Sequence, residues 1–212
     1  MLQTELFDTT SVDRLYYEQQ AVKQGFRTLA GIDEAGRGAL CGPVVAAAVI
    51  LPSGIRMPGV DDSKKLSPLQ RERMFDLIMS LAVSVGVGFG PPERIDRINI
   101  LQATRHAMLE AVSGLTPQPD LLLIDGITTI DSPIPQKTIK KGDSLSLTIA
   151  AASIIAKVSR DRLMRELDIL HPGYGFASHK GYGCASHMEA IRLLGPSPIH
   201  RLTFRGVREY AS

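Results

Sequence analysis

Tryptophan is absent from the 212-residue sequence, and cysteine and aromatic residues are scarce. The two cysteines, Cys41 and Cys184, form no Cys-x-x-Cys pair and are too few for a disulfide framework. The longest apolar run, at 44–51, is less than half of the roughly 20 residues that a membrane-spanning helix needs. Residues 1–8 contain two acids and neither a basic nor an apolar segment, so no secretory signal is evident and the cytoplasm is the expected compartment.

The remaining composition is that of an ordinary globular chain, with 44% hydrophobic and 22% charged residues. Disorder, collagen and coiled coil are excluded, and the length suits one sizeable domain. The net charge of +2 says little about partners, but the distribution of charge is uneven. Basic residues concentrate in the stretch 137–165, as Lys137, Lys140, Lys141, Lys157, Arg160, Arg162 and Arg165. This asymmetry suits a polyanion-binding face, although a solvated helix surface is the commoner cause.

Hydrophobic patterning predicts a mixed α/β fold with helices on the faces of a sheet. Strands are predicted at 29–32, 44–51, 83–89, 121–124 and 136–140, the fourth central and the last at an edge. Helices are predicted at about 13–26, 67–81, 94–112, 144–170 and 185–195, with a loop at 171–182. The expected organisation is a tail and lead-in helix at 1–27, a central domain at 28–170 and a C-terminal loop and helical subdomain at 171–212.

Four carboxylates stand at predicted strand ends or at a strand-to-helix junction. Asp33 and Glu34 follow the first strand, Asp125 ends the fourth, and Asp143 lies where the long helix begins. Converging carboxylates repel one another unless cations neutralise them, and carboxylate oxygens are the ligands that Mg²⁺ prefers. Together they predict a site for hard divalent metal ions. Taken singly, each aspartate could instead form a turn or cap a helix.

Several familiar motifs are absent. The glycine-rich stretch 36–43 does not fit Gly-x-Gly-x-x-Gly, because its third glycine comes one residue late and a strand follows it. The sequence has no phosphate-binding Gly-x-x-x-x-Gly-Lys-Ser/Thr loop, no His-Glu-x-x-His and no Gly-x-Ser-x-Gly. The five histidines form no ligand cluster in the sequence, and His106 is expected to be structural or solvated.

The run AGIDEAGRG at 30–38 strongly resembles the signature of bacterial type 2 ribonuclease H, or ribonuclease HII. Further matching segments follow in the family's order between about residues 28 and 203: 42–48, 62–67, 124–126, 141–144, 151–158, 160–161, 174–176 and 180–182. The resemblance implies an α/β ribonuclease H-like fold, with a mixed five-stranded sheet flanked by helices and a C-terminal helical subdomain. It implies a monomeric endonuclease of ribonucleotide repair that hydrolyses the RNA strand of RNA–DNA hybrids. It also implies nicking of DNA 5′ of embedded ribonucleotides, leaving 5′-phosphate and 3′-hydroxyl ends.

The resemblance also implies roles for individual residues. Its catalytic carboxylates would hold two Mg²⁺ or Mn²⁺ ions, and they correspond to Asp33, Glu34, Asp125 and Asp143. Its ribonucleotide reader, which acts through the backbone, corresponds to Gly36, Arg37 and Gly38, and its junction reader corresponds to Tyr182. Ser63 and Lys64 are expected to contact phosphates. Tyr174 is the alternative to Tyr182 as the junction reader. The basic stretch 137–165 is expected to bind phosphates as well. The sequence departs from the family pattern at Ala39, Cys41, Gly183 and Cys184, which bear on the shape of the ribose pocket.

One motif lies outside the matching segments. Gln3, Leu6 and Phe7 resemble the Gln-x-x-Leu-Phe peptide by which bacterial replication and repair proteins bind the sliding clamp. A plain N-terminal tail is the alternative, since five-residue patterns often occur by chance.

Three other functions remain open at this stage. One is a junction resolvase or another DNA nuclease of the same fold superfamily, which would need no reader of the 2′-hydroxyl. A second is the type 3 ribonuclease H, which shares the carboxylates but carries an extra N-terminal domain. The third is a hybrid-binding module that has lost its metal site.

Overall fold

The computed structural model describes residues 13–60 and 66–211, and these form one mixed sheet covered by helices. The strands are β1 (Leu29–Ala35), β2 (Val44–Ile50), β3 (Ser84–Gly90), β4 (Leu121–Asp125) and β5 (Gln136–Ile139). Their order across the sheet is β3-β2-β1-β4-β5. The first three strands pair antiparallel, whereas β1–β4 and β4–β5 pair parallel. The predicted mixed five-stranded sheet is therefore confirmed, with 136–139 at an edge.

Seven α-helices occur in the described ranges, and a short 3₁₀ turn at Arg208–Tyr210 follows them. They are α1 (Tyr16–Lys23), α2 (Pro68–Leu81), α3 (Pro92–Ser113), α4 (Gly142–Leu145), α5 (Leu147–Leu170), α6 (Phe176–His179) and α7 (Ala185–Leu194). At the start of α2, Ser67 and Gln70 form the capping box that the sequence predicts. None of these helices is long and apolar enough to cross a membrane.

The structure corrects several predicted element boundaries. The first strand, predicted at 29–32, extends to Ala35, so Asp33 and Glu34 lie within it. The helix predicted at 144–170 is broken at Ser146, whose backbone is extended and whose side chain caps α5. The predicted loop at 171–182 contains α6. The helix predicted from residue 94 begins at Pro92, and Asn99 interrupts it with a φ of 67°.

Helices α3 and α5 pack on opposite faces of the sheet and bury two main hydrophobic clusters. The residues on α5 that face the sheet are mostly small, so its backbone lies very close to β1. At Gly31 on β1, a side chain would overlap the backbone of Thr148 on α5. This close approach fixes α5 beside the end of β1 that carries Asp33 and Glu34.

Helix α1 is attached to the sheet domain by a buried carboxylate. Glu18 is only 9% exposed, and its Oε1 accepts hydrogen bonds from the hydroxyl of Ser146 (2.6 Å) and from both the N–H (3.0 Å) and the hydroxyl (2.9 Å) of Thr148. The carboxylate lies at the N-terminus of α5, where a negative charge is favourable. Glu18 therefore fixes the break between α4 and α5.

We expect Glu18→Ala to lower the free energy of unfolding by about 2–3 kcal/mol, because it leaves buried donors of Ser146 and Thr148 without their charged acceptor. Urea unfolding followed by circular dichroism measures the change. Glu166→Ala, at an exposed helical position, is the matched control. Equal stabilities of the two variants would show that the buried carboxylate contributes nothing.

Candidate active site

Three carboxylates meet where the neighbouring strands β1 and β4 end. Because β1 and β4 run parallel with Ile32 opposite Ile124, Asp33 and Asp125 leave neighbouring strands at the same level. The negative charges of Glu34 and Asp125 both act on Asp33, which is 5% exposed. The structure therefore brings Asp33, Glu34 and Asp125 together at these strand ends.

Asp33 is the most perturbed member of this group. Burial raises the pKa of its carboxyl well above the ordinary value, and the charges of Glu34 and Asp125 raise it further. The hydroxyl of Ser153 and the backbone N–H of Glu34, the latter at 2.7 Å, donate hydrogen bonds that oppose the rise in pKa. The three ionised carboxylates thus destabilise one another, which is the condition that a bound cation relieves. Ser153 is a contributor that the sequence analysis missed.

Asp143 is buried in the first turn of α4. Its neighbour Gly142 contacts Asp125 through the backbone. The N–H of Gly142 donates to Asp125 Oδ1 at 2.6 Å. A Cβ at residue 142 would lie 2.6 Å from Ile149 Cδ1 and 3.4 Å from Asp125 Oδ1, so a larger residue here would require the Ile149 side chain to move. Gly142 therefore fixes the segment that carries Asp143 beside the end of β4.

The loop after β1 contains two glycines in different situations. Gly36 is buried with a φ of +91°, and a side chain there would overlap the guanidinium of Arg160. Gly38 is exposed, has no positive φ, and has open space where its Cβ would be. Between them, the exposed Arg37 pairs with Glu34 at 3.2 Å. Packing within the protein therefore explains glycine at 36 but not at 38.

The two candidate tyrosines occupy opposite environments. Tyr182 is 40% exposed, and its ring lies 5.9 Å from Lys157 Nζ and 5.5 Å from Arg160 Cζ. Tyr174 is buried, stacks on Phe176 with ring centroids 5.1 Å apart, and donates its hydroxyl to the Gly195 carbonyl. Tyr174 is therefore a packing residue, and Tyr182 is the tyrosine of this loop that a ligand can reach.

A basic groove of about 580 Å³ adjoins Tyr182, between α2, α5 and α6. Its cationic side chains are Arg71, Lys157, Arg165 and Lys180. Two acidic residues also take part, because Lys157 bonds Asp161 at 2.7 Å and Arg165 bonds Glu72 at 2.9 Å.

Most of the predicted basic stretch is on the surface. Its exposed members are Lys137, Lys140, Lys141, Arg162 and Arg165, and Lys157 is half-buried. Arg160 is fully buried, so the expectation that it engages phosphate was wrong. Its guanidinium binds protein carbonyls instead.

Two of the five histidines lie together with a cysteine, which corrects the expectation that the histidines form no cluster. Ligand atoms of Cys41, His187 and His200 lie within 4.8 Å of one another, and all three residues are buried. The N–H of Ser197 donates to His200 Nδ1, so the proton of His200 is on Nε2, which donates to His187 Nε2 at 3.0 Å.

This histidine pair supports the loop of Tyr182. His187 Nδ1, which then carries the proton, donates to the Tyr182 carbonyl at 3.0 Å. Burial, with the nearby His187, lowers the pKa of His200 to about 4, and burial also lowers the pKa of His187. Burial raises the pKa of Cys41 to about 12. A neutral, hydrogen-bonded pair beside a protonated thiol is a structural support for the loop, in contrast to the carboxylate group.

Some predicted site residues lie outside the described ranges. These are Ser63 and Lys64 of the expected phosphate contacts and Gln3, Leu6 and Phe7 of the expected clamp motif. Their roles stay predictions from the sequence.

Known proteins are similar to this chain in sequence and in fold. The family model described as Ribonuclease HII matches residues 30–207. A ribonuclease HII of Pelobacter propionicus is 76% identical over 212 residues, which are 100% of this chain and 97% of that protein. The crystal structure of ribonuclease H2 from Pyrococcus horikoshii OT3 is similar, with a TM-score of 0.73 and 27% identity over 87% of this chain and 97% of that one. Ribonuclease HII of Archaeoglobus fulgidus, solved in complex with PCNA, also has a TM-score of 0.73 and 27% identity, over 84% of this chain and 96% of that one.

Proposed function

The chain belongs to the ribonuclease HII family and is a ribonuclease H endonuclease, and from this premise we propose its substrates and mechanism. It cuts the RNA strand of RNA–DNA hybrids and nicks duplex DNA on the 5′ side of an embedded ribonucleotide, acting as a monomer. The products carry 5′-phosphate and 3′-hydroxyl ends. The observation that carries the proposal is the convergence of Asp33, Glu34 and Asp125 at the ends of two parallel strands, next to the exposed residues Arg37 and Gly38.

The donor chemistry of the four carboxylates suits divalent metal ions. All the donors are oxygens, which suits Mg²⁺ or Mn²⁺, and the mutual repulsion around Asp33 favours cation binding. Asp33, Glu34, Asp125 and Asp143 would hold the ions. When bound, such ions activate water and stabilise the developing charge on the attacking and leaving oxygens of a phosphodiester.

The chain's own groups prepare this site. Ser153 and the Glu34 N–H orient Asp33 by hydrogen bonds, and the Gly142 N–H orients Asp125. Arg37 holds Glu34 from the solvent side at 3.2 Å. These contacts fix the carboxylate oxygens before substrate arrives, so little reorganisation remains when the ions and the phosphate bind.

Selectivity for RNA requires a reader of the 2′-hydroxyl, because this group distinguishes RNA from DNA. Gly36, Arg37 and Gly38 would supply it through their backbone, and Tyr182 would lie at the RNA–DNA junction. The basic groove beside Tyr182 and the exposed lysines of 137–141 would bind phosphates. A nuclease for plain DNA needs no such reader, which disfavours that alternative.

A metal titration tests the mechanism. Cleavage of a long hybrid should require Mg²⁺ or Mn²⁺, cease in EDTA, and be lost in Asp125→Asn, while calorimetry shows weaker metal binding by that variant. Both Asp125→Asn and the metal-free wild type should still bind the hybrid. Hybrid binding by the wild type with no cleavage under either metal would instead indicate a binding module.

Tyr182→Phe should lower cleavage of a duplex with one ribonucleotide by roughly 5–10-fold, the value of one hydrogen bond. Cleavage within a long hybrid and metal affinity should stay unchanged, because the aromatic ring remains. Tyr174→Phe is the matched control, since its hydroxyl binds Gly195 away from the ligand-accessible face. Unchanged junction cleavage by Tyr182→Phe would remove this role.

The clamp contact through Gln3, Leu6 and Phe7 rests on the sequence motif. The complex of PCNA with the Archaeoglobus fulgidus relative is consistent with clamp binding in the family. Surface plasmon resonance on immobilised bacterial clamp should show binding that a Leu6→Ala, Phe7→Ala double variant loses. Equal binding by both proteins would end the proposal, and nuclease activity without clamp should be the same in both.

A further inference from the structure

Two arginines, Arg160 on α5 and Arg201 after α7, are completely buried behind the glycine loop. A buried charge is costly unless hydrogen bonds satisfy it. Their seven side-chain hydrogen bonds all go to backbone carbonyl groups. Burial lowers the pKa of both guanidiniums, that of Arg201 to about 9. The two buried guanidiniums therefore serve to hold segments of backbone in place.

Arg201 binds the loop that carries the proposed ribonucleotide reader. Its Nη2 donates to the Gly36 carbonyl at 2.7 Å, and its Nη1 donates to the Arg37 carbonyl at 2.8 Å. Its Nε and Nη2 also donate to the Gly42 carbonyl, at 3.0 and 2.9 Å. One guanidinium therefore holds both ends of the loop from inside the protein.

These bonds set the direction of two backbone N–H groups. In a trans peptide the N–H points opposite to the carbonyl of the same peptide unit. The Gly36 carbonyl shares its unit with the Arg37 N–H, and the Arg37 carbonyl shares its unit with the Gly38 N–H. Because Arg201 holds both carbonyls inward, both N–H groups are directed outward, where residues 37 and 38 are exposed. They are donors of the kind that a ribose hydroxyl accepts.

Arg160 connects this loop to the loop of Tyr182. It donates to the carbonyls of Cys41 (3.1 Å) and Pro43 (2.9 Å) on one side and to that of Lys180 (2.9 Å) on the other. Its guanidinium lies 5.5 Å from the ring centroid of Tyr182, within cation–π range, and packs against Gly36. Arg160 thereby sets the spacing between the two loops.

We propose that Arg201 and Arg160 are positioning residues for ribonucleotide selection. Arg201 aims the N–H groups of Arg37 and Gly38 at the 2′-hydroxyl, and Arg160 holds Tyr182 at a fixed distance from them. The proposal rests on the proposed function and adds residues that contact neither substrate nor metal. The two arginines have different roles, because Arg201 orients the glycine loop and Arg160 positions the loop of Tyr182.

The test compares Arg160→Lys and Arg201→Lys on a duplex with one ribonucleotide and on a long hybrid. Arg201→Lys should lower kcat/KM on both substrates by up to about 100-fold, because both need the 2′-hydroxyl reader. Arg160→Lys should lower kcat/KM on the single ribonucleotide about tenfold more than on the hybrid, whose interior has no junction. Arg192→Lys, an exposed arginine paired with Glu189, should change neither.

Two results would overturn the proposal. One is an unchanged substrate ratio in Arg160→Lys, and the other is wild-type kcat/KM in folded Arg201→Lys. A purely structural role would only lower the fraction of folded, active molecules. It would leave the ratio between the two substrates unchanged in Arg160→Lys and leave kcat/KM per folded molecule at the wild-type value in Arg201→Lys. Cleavage of both substrates by the wild type establishes the proposed function separately.

A measurement on the wild type tests the proposal even if the arginine variants fail to fold. In EDTA, amide exchange of Arg37 and Gly38 should be fast in the free protein. It should slow at least about tenfold on binding a duplex with one ribonucleotide, and stay fast with the all-DNA duplex. Slow exchange in the free protein, or equal protection by both duplexes, would show that these N–H groups do not face the ribose.

Discussion

Asp33→Asn is expected to lower the rate of cleavage by about 10³-fold or more. The same substitution should stabilise the metal-free protein. The loss of activity follows because an amide binds divalent ions poorly, and several kcal/mol of transition-state stabilisation depend on those ions. Each 1.4 kcal/mol corresponds to about tenfold in rate. The gain in stability follows because the substitution removes a buried charge from beside Glu34 and Asp125.

The raised pKa of Asp33 fixes the pH dependence of this gain. The folded state binds the Asp33 proton more tightly than the unfolded chain does. Stability of the metal-free protein therefore falls as pH rises from the ordinary carboxyl pKa through the raised one. Asp33→Asn lacks this ionisation, so it should exceed the wild type above that window, by about 0.5–2 kcal/mol.

Thermal melting in EDTA at pH 5 and pH 8 measures the effect, with Asp131→Asn, at an exposed position, as the control. Adding Mg²⁺ at pH 8 should raise the melting temperature of the wild type and leave that of Asp33→Asn nearly unchanged. A metal-free Asp33→Asn protein less stable than the wild type at pH 8 would contradict the electrostatic argument.

Alanine at the two loop glycines should give opposite results. Gly36→Ala should destabilise the fold by about 1–3 kcal/mol, because residue 36 has a φ of +91° and its side chain would overlap Arg160. Gly38→Ala should fold like the wild type, since nothing of the protein lies within 4 Å of the added Cβ. Its cleavage should fall by roughly 10–100-fold, because the methyl group holds the backbone away from the ribose.

Urea unfolding and single-turnover cleavage of a duplex with one ribonucleotide separate the two outcomes. Gly114→Ala, whose added Cβ would have only ordinary contacts, controls for the substitution itself. Wild-type cleavage by Gly38→Ala would show that the substrate does not approach residue 38 closely. A stable Gly36→Ala would show that Arg160 moves easily, which would also weaken its proposed positioning role.

Local signals account for most of what could be predicted from the sequence. The capping box at Ser67, the apolar run of β4 and the acidic residues near the C-terminal ends of β1 and β4 depend on neighbours in the chain. The parallel pairing of β1 and β4, which brings Asp33 and Asp125 to the same end of the sheet, was not predicted from these signals. The boundaries at 27/28 and 170/171 stay predictions.

The features that could not be predicted depend on distant partners. The break at Ser146 coincides with a hydrogen bond to Glu18, 128 residues earlier in the chain. Arg160 lies among basic residues in the sequence, yet its partners are carbonyls of two distant loops. A single arginine in a basic stretch gives no sign of burial, whereas the small residues along α5 indicate a helix face packed closely on a sheet.

The most direct test of the account is to map the cut in a DNA duplex that contains one ribonucleotide, incubated with Mg²⁺ or Mn²⁺. We expect a single nick on the 5′ side of the ribonucleotide, with 3′-hydroxyl and 5′-phosphate ends, and no product in EDTA or with Asp125→Asn. A cut on the 3′ side, equal cutting of the all-DNA duplex, or no nick while long hybrids are cleaved would contradict it.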